Sequence, residues 1–126
     1  MPTALNLPLA ALVLNTLRAH PHLHDRNVWA EARADGVAHC VAGWTVTLAG
    51  AEWGSFPGMV TWRGRLRAIP VLAGELLGIS DSEARMLMYD CNEEQAVALL
   101  DRWIFEACAD QYIKLCVLEQ DCGRAS

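Results

Sequence analysis

Between Asp35 and Glu52 lie sixteen residues without one Asp, Glu, Lys or Arg, and that stretch limits what the chain can fold into. Its Cys40, Trp44 and Leu48 recur at i, i+4 and i+8 with Val41 beside them. Ala42, Gly43, Ala49 and Gly50 supply small residues elsewhere. The spacing predicts a helix over about residues 38–49, close to its neighbours and central to a core. Sixteen residues also fall short of the roughly 20 apolar residues that cross a bilayer, as does the uncharged run 1–17. No membrane helix is expected. The first run lacks a basic start and carries Asn6, Pro8, Asn15 and Thr16, unlike a secretory signal, so the expected location is the cytoplasm. Five cysteines, Cys40, Cys91, Cys108, Cys116 and Cys122, with no C-x-x-C pair, suit free and mostly buried thiols in a reducing compartment.

Helical spacing surrounds this segment. Asn6 is an N-cap with Pro8 in the first turn, and Leu9, Leu12, Val13, Thr16 and Leu17 follow to about Ala19, where His20-Pro21 stops the helix. Asp25 caps a short second helix with Val28, Trp29 and Ala32, ended by Gly36. Residues 51–67 break the pattern with Gly54, Pro57, Gly58 and Gly64, and read as the one long irregular segment, with a brief extended piece at Met59–Trp62. Helical spacing resumes at Pro70 and stops at Gly78. Ser80 with Glu83, and Asn92 with Gln95, are capping boxes, the second opening the longest helix over about Glu93 to Gln120. At 126 residues, 53% hydrophobic and 20% charged, the expectation is one compact domain, 1–126, all-α with six helices. The last helix is expected to pack on the Cys40, Trp44, Leu48 stripe.

Charge is uneven. Up to Arg67 there are six arginines and four acids; from Ala68 onward, four basic residues face eleven acids. A net charge of −5 argues against phosphate-driven binding as the default. The basic half concentrates its aromatics in the irregular segment, where Trp53, Phe56, Met59 and Trp62 alternate with Arg63, Arg65 and Arg67. Aromatics, Met and Arg are enriched in protein interfaces, and long loops carry function, so these seven residues are the candidate partner-binding site. The competing reading folds the tryptophans inward as a lid on the core.

Other motifs carry less. His20, His22, His24 and Asp25 are ordinary zinc or nickel ligands, yet a short tract of this kind is a weak signal for a metal site. Neither a metal nor another cofactor is expected. His39-Cys40 fails as a base and nucleophile because adjacent positions on a helix point about 100° apart. No G-x-S-x-G, H-E-x-x-H, P-loop or G-x-G-x-x-G occurs, and the expectation is a protein without enzymatic activity. Residues 71–87 mimic a helix-turn-helix through Gly74, Leu77, Gly78, Ile79, Ala84 and Leu87. The would-be recognition helix sets Asp81 and Glu83 against Arg85 alone. On the last helix, Ile113, Cys116 and Val117 widen the apolar sector and are the candidate interface of a homodimer.

Asp35-Gly36-Val37-Ala38-His39-Cys40-Val41-Ala42-Gly43-Trp44 and Leu76-Leu77-Gly78-Ile79 resemble segments of small helical proteins of mycobacteriophages and actinobacteria. That pattern runs N-L-P-L, then C-G-T-x-x-C-x-A-G-W-A, then L-L-G-L before E-A-x-x-L. Leu7, Pro8, Leu9, Cys40, Ala42, Gly43, Trp44, Glu83, Ala84 and Leu87 match it. Asp35 stands where the pattern has its first cysteine, and Val37 replaces its threonine, which argues against a paired-thiol site. The resemblance covers most of residues 5–90. It implies a phage or prophage accessory protein of the bacterial host cytoplasm, acting by binding a host protein. A nucleic-acid binder, using Arg63–Arg67 or the 71–87 pair, is the alternative. A metal-dependent enzyme or sensor built on His20, His22, His24 and His39 with Cys40 is the second.

Overall fold

The structure, a computed structural model, describes residues 2–125, with the side chains of residues 2–111 and of Ile113. Among the described residues it has five α-helices and five strands in two antiparallel sheets, an α+β fold where the apolar periodicity predicts all-α. Helix α1 (Leu7–Ala19) begins as expected. The Asn6 side chain accepts from Leu9 N–H at 3.3 Å, and the helix ends at His20 before a 3-10 turn at Pro21–Leu23.

No second helix follows. Strands β1 (Glu31–Arg33) and β2 (Gly36–Ala38) pair in register Glu31↔Ala38 and Arg33↔Gly36, joined by the two residues Ala34 and Asp35. Gly36 is not a helix stop but opens β2 at φ +149°, a backbone conformation open to glycine. With Ala34 and Asp35 in the turn, Gly36 at this φ lets the chain reverse into β2, and that outweighs the three apolar residues that suggested a helix.

Helix α2 (Val41–Leu48) is one turn shorter than predicted, and Cys40 is its N-cap. Its deepest residues are Val41, Ala42, Thr45 and Val46; Trp44 and Leu48 are only half-buried, so the core face lies beside the predicted stripe. The irregular segment is a second sheet, β3 (Glu52–Trp53), β4 (Met59–Trp62) and β5 (Arg65–Ala68), in that order. Registers run Trp53↔Val60, Val60↔Arg67 and Trp62↔Arg65. Arg63 and Gly64 make the β4–β5 turn with φ of 51° and 77°, the two positive values that a tight hairpin requires.

Helices α3 (Ile69–Leu77) and α4 (Asp81–Arg85) follow, then a π-turn at Met86–Asp90 and helix α5 (Glu93–Ala125). Gly78 ends α3 at φ 72°, and a Cβ there would sit 2.1 Å from the Ala4 carbonyl oxygen, so no larger residue fits. Both capping boxes form: Ser80 N–H donates to Glu83, and Asn92 and Gln95 bond reciprocally. One buried cluster unites the helices with β4, through Val13, Leu17, Val46, Val60, Ile69, Leu72, Leu77, Leu87 and Leu100. Helix α5, 33 residues and ~50 Å long, has α1 rather than the Cys40 stripe as its chief packing partner. Arg18 and Asp101 pair at 3.2 Å across that contact.

Candidate partner-binding surface

All seven candidate residues belong to the β3–β5 sheet or to the 54–58 loop that joins β3 to β4. Pairing sorts them by face. Trp53, Val60 and Arg67 lie opposite one another, as do Trp62 and Arg65, so these five share one face. Val60 is fully buried, and Trp62 packs on the core, which fixes that face inward at the middle of β4. Met59 and Leu66 lie on the other face. Among the seven, Phe56 is 63% exposed, and Arg63 and Arg65 are exposed. Met59, Trp62 and Arg67 are half-buried.

Trp53 is anchored rather than free. Its Nε1 donates to Thr47 Oγ1 at 2.9 Å, and its ring stacks on His39 with centroids 5.2 Å apart. His39 in turn meets Trp44 edge-on at 4.8 Å, and its Nδ1 lies 2.8 Å from the Trp29 carbonyl oxygen. A carbonyl only accepts, so Nδ1 carries the proton. Burial pulls the His39 pKa below its usual value, and the Trp29 bond opposes that without reversing it. His39 is therefore a neutral spacer between two tryptophans, and 37% of Trp53 is left open to solvent.

Beside Trp53 the 54–58 loop and residues 28–30 enclose a cleft of about 400 Å³, whose aromatic walls are Trp29, Trp53 and Phe56. Trp29 lies over Gly58, where a Cβ would come 3.3 Å from its Nε1, and Gly58 itself sits at φ 73°. Along the β4–β5 hairpin the charges differ in their commitments. Arg67 pairs with Glu75 at 2.5 Å. Arg63 sits 5.4 Å over the Trp62 ring, and Arg65 has no carboxylate partner among the described residues. The four residues of β4, roughly 13 Å end to end, separate the aromatic cleft from Arg63 and Arg65, whereas Arg67 lies opposite Val60.

The sequence reading missed two parts of this surface. Leu66, between Arg65 and Arg67, is 50% exposed on the outer face. Trp29 and His39, assigned to a short second helix and to a helix interior, instead position Trp53: the Trp29 carbonyl holds the His39 ring on which Trp53 stacks. The alternation of Met59–Trp62 and Arg65–Ala68 about Arg63-Gly64 was the signal for the hairpin.

His39 and Cys40 are not helix neighbours, since both precede α2, and they still do not pair. The Cys40 sulfur accepts from Gly43 N–H at 3.4 Å, and burial pushes its pKa up, which keeps the thiol protonated. His22 Nε2 meets Asp35 Oδ2 at 2.5 Å, His20 stands edge-on to His22, and His24 is buried beside His39 through a parallel bridge. Among the described residues no three His, Cys, Asp or Glu side chains gather as metal ligands. No helix among them is long and apolar enough to cross a membrane.

The 71–87 pair does pack closely: a Cβ on Gly74 would stand 3.2 Å from that of Ala84. Yet α4 is only five residues long, and exposed Asp81 stands in its first turn. On α5, Ile113 is 61% and Phe105 73% exposed. The Cys116 and Val117 side chains, also assigned to a dimer interface, lie outside the described residues. No family model matches the chain, and neither curated proteins nor solved structures provide a match.

Proposed function

We propose that this chain is a non-enzymatic binding module that docks another protein through the β3–β5 sheet and its 54–58 loop. One observation carries the reading. Exposed apolar side chains, Trp53 and Leu66 on opposite faces of the small sheet and Phe56 in its 54–58 loop, accompany two arginines, Arg63 and Arg65, that no carboxylate neutralises among the described residues. Water around such apolar groups is released on docking, and arginine with aromatic residues makes interface hot spots. Glu52 is the one acid on the sheet, so the partner's face is acidic and apolar.

The resemblance to phage and actinobacterial proteins makes that partner a host protein of the bacterial cytoplasm. The test is capture from bacterial lysate by the unsubstituted chain and by a Phe56→Ala, Arg63→Ala, Arg65→Ala variant. All three residues are exposed, so the variant folds, and the captured partner should be lost. Retention of every captured protein would refute the site.

Two further readings have specific support. Arg63 and Arg65 beside aromatic rings would also hold a single-stranded nucleic acid. A gel shift whose binding constant falls steeply with salt would favour that reading over the first, and no shift at low salt would dismiss it. Phe105 and Ile113 give α5 an exposed apolar face for a second copy. Light scattering at several concentrations checks this, with Phe105→Asp expected to remove any dimer.

A further inference from the structure

We propose that the free edge of β5 takes an extended acidic segment of the partner protein as a fourth strand of the sheet. This rests on the protein-binding reading and specifies its mode. In a two-residue hairpin the residues flanking the turn exchange both backbone hydrogen bonds, and bonded and non-bonded pairs then alternate along the ladder. Trp62↔Arg65 flanks the turn, so Val60↔Arg67 is the next bonded pair and Thr61↔Leu66 a non-bonded one. The amides of Arg65 and Arg67 therefore point at β4. Those of Leu66 and Ala68, with the Leu66 carbonyl, point away from the sheet.

No strand lies beyond β5, and the Leu66 N–H and C=O have no partner among the described residues. This is an open edge of the kind that sheets otherwise protect. The edge also specifies its occupant. A strand added beside β5 would place one residue against Leu66 on the outer face, where the leucine is half exposed and calls for an apolar neighbour. The residues on either side of it would face Arg65 and Arg67. Arg67 is already held by Glu75, whereas Arg65 is uncommitted and Arg63 follows in the turn, so a carboxylate belongs at least opposite Arg65.

The recognised pattern is thus an acidic residue opposite Arg65 beside an apolar one opposite Leu66, in extended conformation, with main-chain bonds providing affinity and alternate side chains providing selectivity. A second copy of this chain does not fit. Pairing two β5 strands about Leu66 would set Arg65 against Arg67 twice, and like charges directly opposite are destabilising.

The test follows backbone amide exchange by NMR on the full chain, with a blocked peptide alternating Glu and Val as probe and a Lys and Val peptide as control. In the free chain the Leu66 amide should exchange fast, while Arg65 and Arg67 are protected. Adding the Glu peptide should slow exchange at Leu66 and Ala68, and the Lys peptide should not. Leu66→Pro deletes an outward N–H that β4 does not use, so it should fold, checked by its thermal midpoint. It should weaken the Glu peptide about tenfold, or ~1.4 kcal/mol. Leu66→Ala, which keeps the amide, should retain the exchange protection.

A Glu peptide that shifts Trp53 and Phe56 signals without slowing Leu66 exchange would overturn strand addition and leave the protein-binding surface standing. Failure of the peptide to bind at millimolar concentration would also overturn it, and capture by the unsubstituted chain would still decide the broader reading. Equal binding of both peptides would refute the charge selection.

Discussion

The two sheets hold arginines on short exposed strands and use them in opposite ways. In the β1–β2 hairpin, Arg33 is fully engaged: Nε with Glu31 at 3.0 Å, one terminal nitrogen with the His22 carbonyl at 3.0 Å, and the other with Asp25 at 2.7 Å. Asp25 also accepts from Asn27 N–H, and that bond, followed by Arg33, holds its carboxyl below the usual range. Its polar groups close on themselves. In the β3–β5 sheet, Arg63 and Arg65 have no such partners among the described residues, and Phe56, Leu66 and part of Trp53 stay in water. The contrast teaches that exposure alone does not mark a binding face. Uncommitted charge beside uncovered apolar surface does, because both gain when a partner arrives.

The seam between the two regions should be the most fragile place. Gly43 in α2 lies so close to the hairpin's approach that a Cβ would stand 2.6 Å from the Trp29 carbonyl oxygen and 3.0 Å from the His39 Cβ. Gly43→Ala should destabilise the fold by about 2–3 kcal/mol, read by urea unfolding, as overpacking of a tight contact does. An unchanged midpoint would mean that the hairpin region is not seated on α2.

Next in size is pH. Burial lowers the pKa of both His24 and His39, with Glu93 and Asp25 partly offsetting it at His24. Below about 6.5 the unfolded chain then binds more protons than the folded one, so stability is full above pH 7 and declines as pH falls through 6.5 toward the lowered folded values. Thermal melts between pH 7.5 and 5 should show the decline, and His39→Gln should flatten it. A melting temperature that rises on acidification would contradict neutral histidines.

The arginine comparison itself predicts a smaller, sharper split. Arg33→Ala should lower the melting temperature, whereas Arg65→Ala should leave it unchanged. Equal effects would erase the distinction between the sheets.

The α-helical frame was legible in sequence because its signals are local. Asn6, Gly78, Ser80 with Glu83, and Asn92 with Gln95 each cap through residues at most four apart, and each forms as read. Of the strands, β4 alone was read, as the extended piece Met59–Trp62; the others were not, because their partners come from outside the run: three-residue β1 and two-residue β3 are too short to show a period of two. Residues 51–67 therefore showed their composition without their hairpin. The binding residues were named by type, but faces follow from register, and so Leu66 was invisible while Trp62 and Arg67 looked as available as Arg65. The packing of α5 on α1 likewise depends on tertiary fit that apolar spacing alone does not choose.

The most direct measurement places a photo-crosslinking benzoylphenylalanine at Phe56 in one variant and at Val37, the 43% exposed residue of β2, in another. Irradiated in bacterial lysate, the variant substituted at Phe56 should give a discrete protein adduct, abolished by Arg63→Ala with Arg65→Ala, and the variant substituted at Val37 should give none. An adduct from Val37 alone, or none from Phe56, would contradict the assignment of the β3–β5 sheet as the docking surface.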